Sequence, residues 1–476
     1  MVFNSLVFVL FLSLVLFLHN LPFSWRTKKI NLVILSYVFY AWWNPPMVLL
    51  LMCSTVVDWF AAKGIYGAKT PLKRRAWLAA TLGFNLGMLG YFKYGKFLLV
   101  SFAQMVSAMG GHYSAPEADI VLPIGISFYT FVTLSYTLDV YWGRMKPGNS
   151  FLDYALLVTF FPHLVAGPIL RASSFLEQCE QPRAASGREF SWGMWLLVMG
   201  LFEKVVLADW VFAPAANLVF NSASAPGFVD SWLGSLAFSG QIFCDFAGYS
   251  TCAIGVAMCL GFSLPQNFRF PYAATGFSDF WRRWHISLST WLRDYVYIPL
   301  GGNRGGHYRT YGNLMLTMLI GGLWHGASWT YVAWGALHGI YLAGERALIG
   351  RSDGSSGFWT SVPARFLVTM GTFLTVTATW VFFRAHTFQR AFEILSSMAN
   401  HPPTGASTRL LSLTDSVTVL LFLLLVLASH WFFRERNLEK FVSRAPWWTV
   451  SLAASLMLVA VSLARGNSNA FIYFQF

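Results

Sequence analysis

Long apolar stretches separated by short polar or basic segments run along most of the 476-residue chain. An α-helix needs about 20 apolar residues to cross the hydrocarbon core of a bilayer. The pattern therefore predicts an all-α, polytopic bundle of roughly ten to thirteen membrane segments, some of them re-entrant or interfacial because they are too short to span. The apolar runs lie near residues 2–20, 30–45, 46–62, 76–92, 97–110, 121–141, 151–167, 192–222, 229–262, 311–343, 358–383, 413–434 and 447–464.

The first run and the lack of internal repeats predict the overall organisation. No basic residue precedes the first run and no small-residue cleavage site follows it, so we expect a retained span and not a signal peptide. Arg26, Lys28 and Lys29 follow directly, which by the positive-inside rule places that end in the cytoplasm and Met1 outside. Without a repeat, a heptad pattern or a long hydrophilic insert, residues 1–476 are predicted to form a single membrane-embedded domain.

Composition and charge agree with a chain that is solvated mainly by lipid. Hydrophobic residues make up 56% and charged residues 11%, with a mean hydropathy of +0.53. The formal net charge is +13, but the basic residues form short clusters between apolar runs. Anionic lipid of the inner leaflet is therefore the predicted partner, not nucleic acid. The five cysteines show no CxxC spacing, so we predict neither a metal site nor a disulfide framework.

Residues 278–304 combine helical periodicity with several charges in an otherwise apolar chain. Ser278 is the predicted N-cap, and Pro299 with Gly301 and Gly302 is the predicted end of one amphipathic helix. At 100° per residue, one face carries Trp281, Trp284, Leu288, Trp291, Leu292 and Tyr295, and another carries Arg282, His285, Ser289 and Arg293.

That segment cannot cross the bilayer facing lipid. Five charged residues near the centre would cost about 2.5–3.5 kcal/mol each, or roughly 15 kcal/mol together. It must therefore lie at the interface or enter as a re-entrant element beside an aqueous cavity. Its tryptophans also suit an interfacial anchor with no chemical role, and both interpretations stay open at this point.

Two histidines, His325 and His338, lie inside the apolar run near residues 311–343, away from its ends. An ionisable residue inside such a run indicates a functional site, and imidazole can accept and return a proton near neutral pH. Gly321, Gly322 and Gly326 leave room for a substrate or for a neighbouring helix. The alternative for each histidine is a structural hydrogen bond within the bundle, and His338 favours it because it points to a roughly opposite helix face.

Asp245 is a further polar residue inside an apolar run, in the segment QIFCDFAGYS. It could pair with an arginine of residues 278–304 or orient a histidine. The sequence does not choose between these partners.

Six segments together resemble the membrane-bound O-acyltransferase family, and in particular its bacterial branch, which includes alginate O-acetylation proteins. The resemblance extends from the first span to about Arg384. The segments are LPIGISFYTF at 122–131, FFPHLVAGPILR at 160–171, DFAGYS at 245–250, NFRFPY at 267–272, SDFWRRWHISLSTWLRDYVYIPLGG at 278–302 and GGLWHGASW at 321–329.

This resemblance implies a helical bundle with re-entrant pieces in which two substrates meet at one histidine. The histidine of GLWHG, here His325, is implied as the catalytic residue, and the histidine of WRRWH, here His285, as the second polar residue of the site. No bound cofactor is expected. The implied donor is an acyl-CoA thioester, with acetyl-CoA fitting the bacterial branch. The implied partners are the lipid bilayer, a polysaccharide acceptor and periplasmic acetyltransferase or polysaccharide-biosynthesis proteins. The implied location is the bacterial inner membrane, which the chain would cross several times.

We expect His325 to act as the general base and His285 either to hold the acceptor hydroxyl or to hydrogen-bond the thioester carbonyl. Guanidinium groups could bind the donor phosphates, and tryptophans could line a narrow passage. The predicted substrate- and donor-binding residues are Asp279, Trp281, Arg282, Arg283, Trp284, Ser289, Arg293, Asp294, Arg304, Trp324 and Asp245.

Two other functions stay open from the sequence. D-alanyl transfer to a cell-wall polymer, or acylation of a lipid or sugar, would use the same chemistry. A transporter or flippase would instead use Asp139, Asp245, Asp279 and the histidines as an ion path. Such transporters usually contain matched halves with broken helices, and the sequence shows none.

Overall fold

The computed structural model describes residues 1–114, 116, 120–349, 361–403, 409–464 and 471, together with their side chains except that of Ile349. The regular structure of these residues is helical, without a β-strand. Three π-helical segments (Gly90–Tyr94, Phe202–Phe212, Arg293–Tyr297) and a 3-10 turn (Pro271–Ala273) accompany the α-helices. The α-helices are α1 (Leu6–Asn20), α2 (Trp25–Ala41), α3 (Met47–Gly67), α4 (Pro71–Leu89), α5 (Gly95–Ala108), α6 (Ile126–Tyr141), α7 (Phe151–Thr159), α8 (Phe161–Leu164), α9 (Ala172–Glu180), α10 (Gly187–Leu201), α11 (Ala213–Phe220), α12 (Phe228–Cys259), α13 (Phe277–Arg283), α14 (Ile286–Leu292), α15 (Gly306–His325), α16 (Trp329–Ile349), α17 (Val362–Arg384), α18 (Phe388–Met398), α19 (Leu413–Phe433), α20 (Leu438–Arg444) and α21 (Trp447–Leu463).

Hydroxyl and amide side chains begin many of these helices. The Thr70 hydroxyl accepts from the Lys73 amide at 3.3 Å, and Pro71 occupies the first turn of α4, where no backbone donor is needed. Ser412 and Asp415 form a reciprocal capping box at the start of α19. The polar residues between the apolar runs therefore define where the helices start.

Four helices in the described ranges are long and apolar enough to cross a bilayer: α3, α12, α17 and α19. A fifth such span arises if α20 and α21, bent by 118° at their junction, count as one. The predicted all-α, polytopic membrane fold is thus confirmed. The number of segments that enter the bilayer, predicted at roughly ten to thirteen from run length, stays a prediction. Residues 358–360 of one predicted run lie outside the described residues.

The chain divides into two compact units, residues 1–194 with 253–265 and residues 195–252 with 266–476. In the first unit, helices α3, α4 and α6 contribute a buried polar group that we call the Asp58 cluster, namely Ser54, Asp58, Thr81, Asn85 and Thr133. The prediction of a single domain over residues 1–476 stays a prediction.

The second unit has a core of large aromatic side chains. Trp284, Trp334 and Trp380 are fully buried, with the Trp334 and Trp380 rings stacked at 5.4 Å and 17°. The Trp284 ring lies 5.1 Å from Trp380 and 5.5 Å from Phe280. Rings of this size bury much apolar area, so this core fixes the segments around His285 and His325.

The prediction of one continuous amphipathic helix over residues 278–304 was wrong. Helix α13 begins after Gly276, not at Ser278, and ends at Arg283. His285 then adopts left-handed backbone angles (φ 43°, ψ 55°), and α14 starts anew at Ile286. The break is stabilised from outside the segment, because the backbone carbonyl of Asn267 accepts from the Ile286 amide at 2.8 Å. A periodicity argument within the segment could not include that partner.

The expectation that His325 lies in the middle of a single apolar span was also wrong. Helix α15 ends at His325, Gly326 is extended, and α16 starts at Trp329. Gly322 faces Gly335 so closely that a Cβ on Gly322 would lie 2.3 Å from the Tyr331 carbonyl oxygen. The glycines therefore make room for a neighbouring helix in a tight α15–α16 hairpin.

Candidate active site

His325 occupies the C-terminal end of α15, where the chain turns toward α16. Its side chain is 2% exposed. The imidazole is edge-on to the rings of Trp324, Trp334 and Phe383, with centroid distances of 5.0, 5.1 and 5.3 Å. Aromatic side chains therefore enclose His325, and its catalytic role stays a prediction.

His285 lies in the same aromatic environment. Its side chain is 0% exposed, and its ring centroid lies 6.3 Å from that of His325. Trp324 contacts both imidazoles, at 5.8 and 5.0 Å. Two histidines that are 40 residues apart in sequence are thus adjacent in the fold.

Asn267 holds the turn that carries His285. Its side chain is fully buried, and its Oδ1 lies 3.1 Å from Nδ1 of His285. The same oxygen accepts from the amide and the hydroxyl of Ser287, at 3.2 and 2.9 Å. Asn267 belongs to NFRFPY, one of the segments that carry the family resemblance, but it was not among the predicted site residues. The sequence signal for this residue was an amide side chain at the start of a segment rich in aromatic residues.

His338 has a structural environment, as the sequence analysis favoured. The Trp281 indole N–H lies 3.3 Å from its Nδ1, and its Nε2 lies 3.2 Å from the Thr379 hydroxyl. That hydroxyl donates to the Val376 carbonyl at 2.7 Å, so it accepts from His338. Both ring nitrogens therefore have protein partners, and Trp281, predicted as a substrate contact, serves as one of them.

The charged residues predicted for donor binding separate into paired and exposed groups. Asp279 pairs with Arg283 at 2.9 Å, and Arg283 also donates to the Arg434 carbonyl at 3.2 Å. The exposed guanidiniums are Arg282, Arg293 and Arg304, and Asp294 pairs with Arg293 at 2.8 Å. Glu345, which the sequence analysis did not select, accepts from the first amides of α13. The pair of Asp279 and Arg283 fixes the segment, whereas the exposed guanidiniums are accessible to an anionic ligand.

The remaining predicted residues of the segment are structural in this conformation. Trp284 and Trp291 are buried, the former in the aromatic core and the latter against Tyr295 at 5.0 Å. The Ser289 hydroxyl donates to the Trp284 carbonyl at 3.1 Å, across the break between α13 and α14. Their assignment as substrate contacts stays a prediction.

Asp245 forms ion-pair contacts that the sequence did not predict. Lys204 binds its carboxylate and also that of Asp209, the latter at 2.8 Å. All three side chains are nearly buried, so one ammonium lies between two carboxylates away from water. Such a group stabilises its charges mutually because an unpaired buried charge is costly. Asp245 is thus part of a Lys204-centred ion cluster, and its predicted place in the site of His285 and His325 stays a prediction.

Comparison with known proteins identifies the family. Residues 147–356 match the membrane-bound O-acyltransferase family, MBOAT. The probable alginate O-acetylase AlgI of Pseudomonas aeruginosa is 43% identical over 401 residues, which cover 84% of this chain and 75% of the relative. The chain belongs to the membrane-bound O-acyltransferase family. The probable alginate O-acetylase AlgI of Pseudomonas putida is 38% identical over the whole of both chains. The peptidoglycan O-acetyltransferase of Helicobacter pylori is 34% identical, over 94% of this chain and 91% of its own.

Membership of the MBOAT family confirms that this chain is a multi-pass membrane O-acyltransferase. Both histidine segments, at residues 278–302 and 321–329, fall within the matched range 147–356. The transporter alternative is thereby set aside in favour of an enzyme.

Proposed function

We propose that this enzyme transfers an acetyl group from acetyl-CoA at the cytoplasmic side of a bacterial inner membrane to a hydroxyl at the opposite side. The acceptor is an exopolysaccharide such as alginate or cellulose, or a periplasmic transferase that passes the acetyl group on. Relatives named as acetylases of alginate and of peptidoglycan support both the acyl group and a polysaccharide acceptor. The observation that carries the proposal is the buried pair His285 and His325, with ring centroids 6.3 Å apart.

In this mechanism His325 removes the proton from the acceptor hydroxyl as its oxygen attacks the thioester carbonyl. The new C–O bond forms, the C–S bond breaks, and the proton passes from His325 to the departing CoA sulfur. The product is an ester and free CoA, so His325 returns to its starting state. The surrounding indole and phenyl rings exclude water, which would otherwise hydrolyse the thioester.

The exposed guanidiniums of Arg282, Arg293 and Arg304 support a donor site along residues 278–304. Guanidinium pairs phosphate oxygens bidentately, and CoA carries several phosphates. All three arginines lie within 19 residues of His285 along the chain. This arrangement favours a CoA thioester over an uncharged donor.

The test uses the full chain purified in lipid nanodiscs with radiolabelled acetyl-CoA. We expect His325→Ala to reduce transfer to the polymer by about 10²–10⁴-fold, the usual contribution of a positioned general base. Acetyl-CoA binding should be retained, since the substitution leaves the arginines in place. His338→Gln is the matched control, because His338 is equally buried but bonded at both nitrogens within the protein.

Three results would contradict the proposal. Unchanged transfer by His325→Ala removes His325 from the mechanism, and failure of the wild-type chain to bind acetyl-CoA removes the donor. Transfer of D-alanine, and not of acetyl, from an activated donor would keep the site but change the substrate. Mass spectrometry of surface polysaccharide from a deletion strain identifies the acceptor.

A further inference from the structure

The amide of Asn267 can be oriented from its hydrogen bonds. Its Oδ1 lies 3.2 Å from the backbone nitrogen of Ser287, and a backbone N–H can only donate. Its Nδ2 lies 3.1 Å from the Ser250 hydroxyl, which can accept. The atom facing His285 is therefore the carbonyl oxygen, and a side-chain amide oxygen is an acceptor only.

This orientation decides which nitrogen of His285 carries the proton. Nδ1 of His285 lies 3.1 Å from Oδ1 of Asn267. If Nδ1 were unprotonated, two lone pairs would face each other in a buried site, where unfavourable electrostatics are poorly screened. Nδ1 must therefore donate, and in neutral His285 the lone pair belongs to Nε2.

The backbone around Asn267 fixes the direction of the imidazole as well. The Asn267 carbonyl accepts from the Ile286 amide at 2.8 Å, so main chain and side chain together bond the first two amides of α14. His285 precedes them in a left-handed conformation, which costs a non-glycine residue roughly 1–2 kcal/mol. Phe246 then contacts the imidazole edge-on at 4.6 Å.

We propose that Asn267 is a positioning residue that holds His285 in the Nδ1–H tautomer, so that Nε2 accepts a hydrogen bond from a hydroxyl of the acceptor beside the reacting one. The proposal rests on the proposed function and chooses between the two roles that the sequence left open for His285. A neutral imidazole with its proton on Nδ1 cannot donate from Nε2 to a thioester carbonyl. His285 therefore holds and orients the acceptor through this neighbouring hydroxyl, while His325 removes the proton from the hydroxyl that attacks.

The first test measures the tautomer directly and does not depend on turnover. The full chain is labelled with ¹⁵N-histidine, reconstituted in lipid bilayers and examined by solid-state NMR. The His285 signals are those lost in His285→Gln. We expect a protonated Nδ1 and an unprotonated Nε2. A proton on Nε2, in the other tautomer or in the cation, overturns the proposal.

The second test separates positioning from helix capping. Asn267→Leu keeps the approximate volume but removes the acceptor, and we expect kcat/KM for the acceptor to fall about 10–100-fold, as for other residues that orient a histidine. The affinity for acetyl-CoA should not change. Asn267→Asp keeps acceptor oxygens at the same position and should restore most of the lost activity.

Ser287→Ala is the matched control, since it removes one donor to Oδ1 and leaves the bond to His285. Its activity should stay near that of the wild type. Equal loss in Ser287→Ala and Asn267→Leu, or no rescue by Asn267→Asp, would assign Asn267 to helix capping alone. Failure of the proposed function is a separate result. It would appear as a wild type that does not bind acetyl-CoA or as unchanged transfer by His325→Ala, and it would leave the tautomer measurement unchanged.

Discussion

The Asp58 cluster and the turn at His285 are both buried polar networks, but they are built on different backbones. Asp58 lies within the regular helix α3 and accepts from the Asn85 amide at 2.9 Å and from the hydroxyl of Thr81. His285 lies between two short helices and has a left-handed conformation. The first network connects side chains of regular helices, whereas the second holds one side chain in a strained position.

This difference suggests a role in stability for the Asp58 cluster and a role in function for the turn at His285. Hydrogen bonds between regular helices satisfy buried polar groups at no backbone cost, which is the expectation for a network that maintains packing. A strained residue lowers stability, and such residues cluster at active sites when the surrounding structure over-determines them. Here Asn267 provides that restraint with both its backbone and its side chain. The comparison predicts which substitutions change stability and which change turnover.

The largest effect on stability is expected at Lys204, which lies in the same unit as His285. Lys204→Met removes the ammonium that binds the buried carboxylates of Asp209 and Asp245, and we expect a loss of about 3–5 kcal/mol in the free energy of unfolding. Thermal unfolding in detergent, followed by tryptophan fluorescence, measures this change. The turnover of the enzyme that remains folded should match the wild type. A folded Lys204→Met protein without activity would indicate that the Lys204-centred ion cluster, including Asp245, contributes to the active site.

A smaller loss is expected at Asp58. Asp58→Leu leaves Asn85 and Thr81 without their buried acceptor, which should lower the free energy of unfolding by about 2–3 kcal/mol. Asp58→Asn keeps one acceptor oxygen and should cost less. Transfer activity per folded molecule should be unchanged in both variants. Reduced turnover at wild-type stability would mean that this cluster takes part in the reaction and would remove the contrast with His285.

The sequence predicted the helices and the two histidines but not the breaks beside them. Apolar run length depends on local composition, so the spans at α3, α12, α17 and α19 could be recognised directly. The break before α14 depends on Asn267, 18 residues upstream of His285, and the end of α15 depends on the close approach of Gly322 and Gly335.

A local sequence pattern could not predict the partners of the charged residues either. Asp245 binds Lys204, 41 residues away, and the first amides of α13 donate to Glu345, 67 and 68 residues away. Periodicity identifies which residues share a face of one helix but does not identify residues on other elements. Motif resemblance selected His285 and His325 correctly as neighbours, because it carries information about tertiary structure that periodicity lacks.

The smallest effect tests the backbone strain itself, through the order of two substitutions at one position. Glycine adopts a left-handed conformation without the penalty that alanine has, so His285→Gly should be more stable than His285→Ala by about 1 kcal/mol. At Ser289, inside α14, the order should reverse by a similar amount, since glycine is disfavoured in a helix interior. Denaturation of the four variants in detergent measures both differences. Because His285→Gly and His285→Ala both lack the imidazole, both should lose transfer activity despite their different stabilities. If alanine were the more stable residue at both positions, the left-handed turn would not be a feature of the folded enzyme, and the contrast with the Asp58 cluster would lose its structural basis.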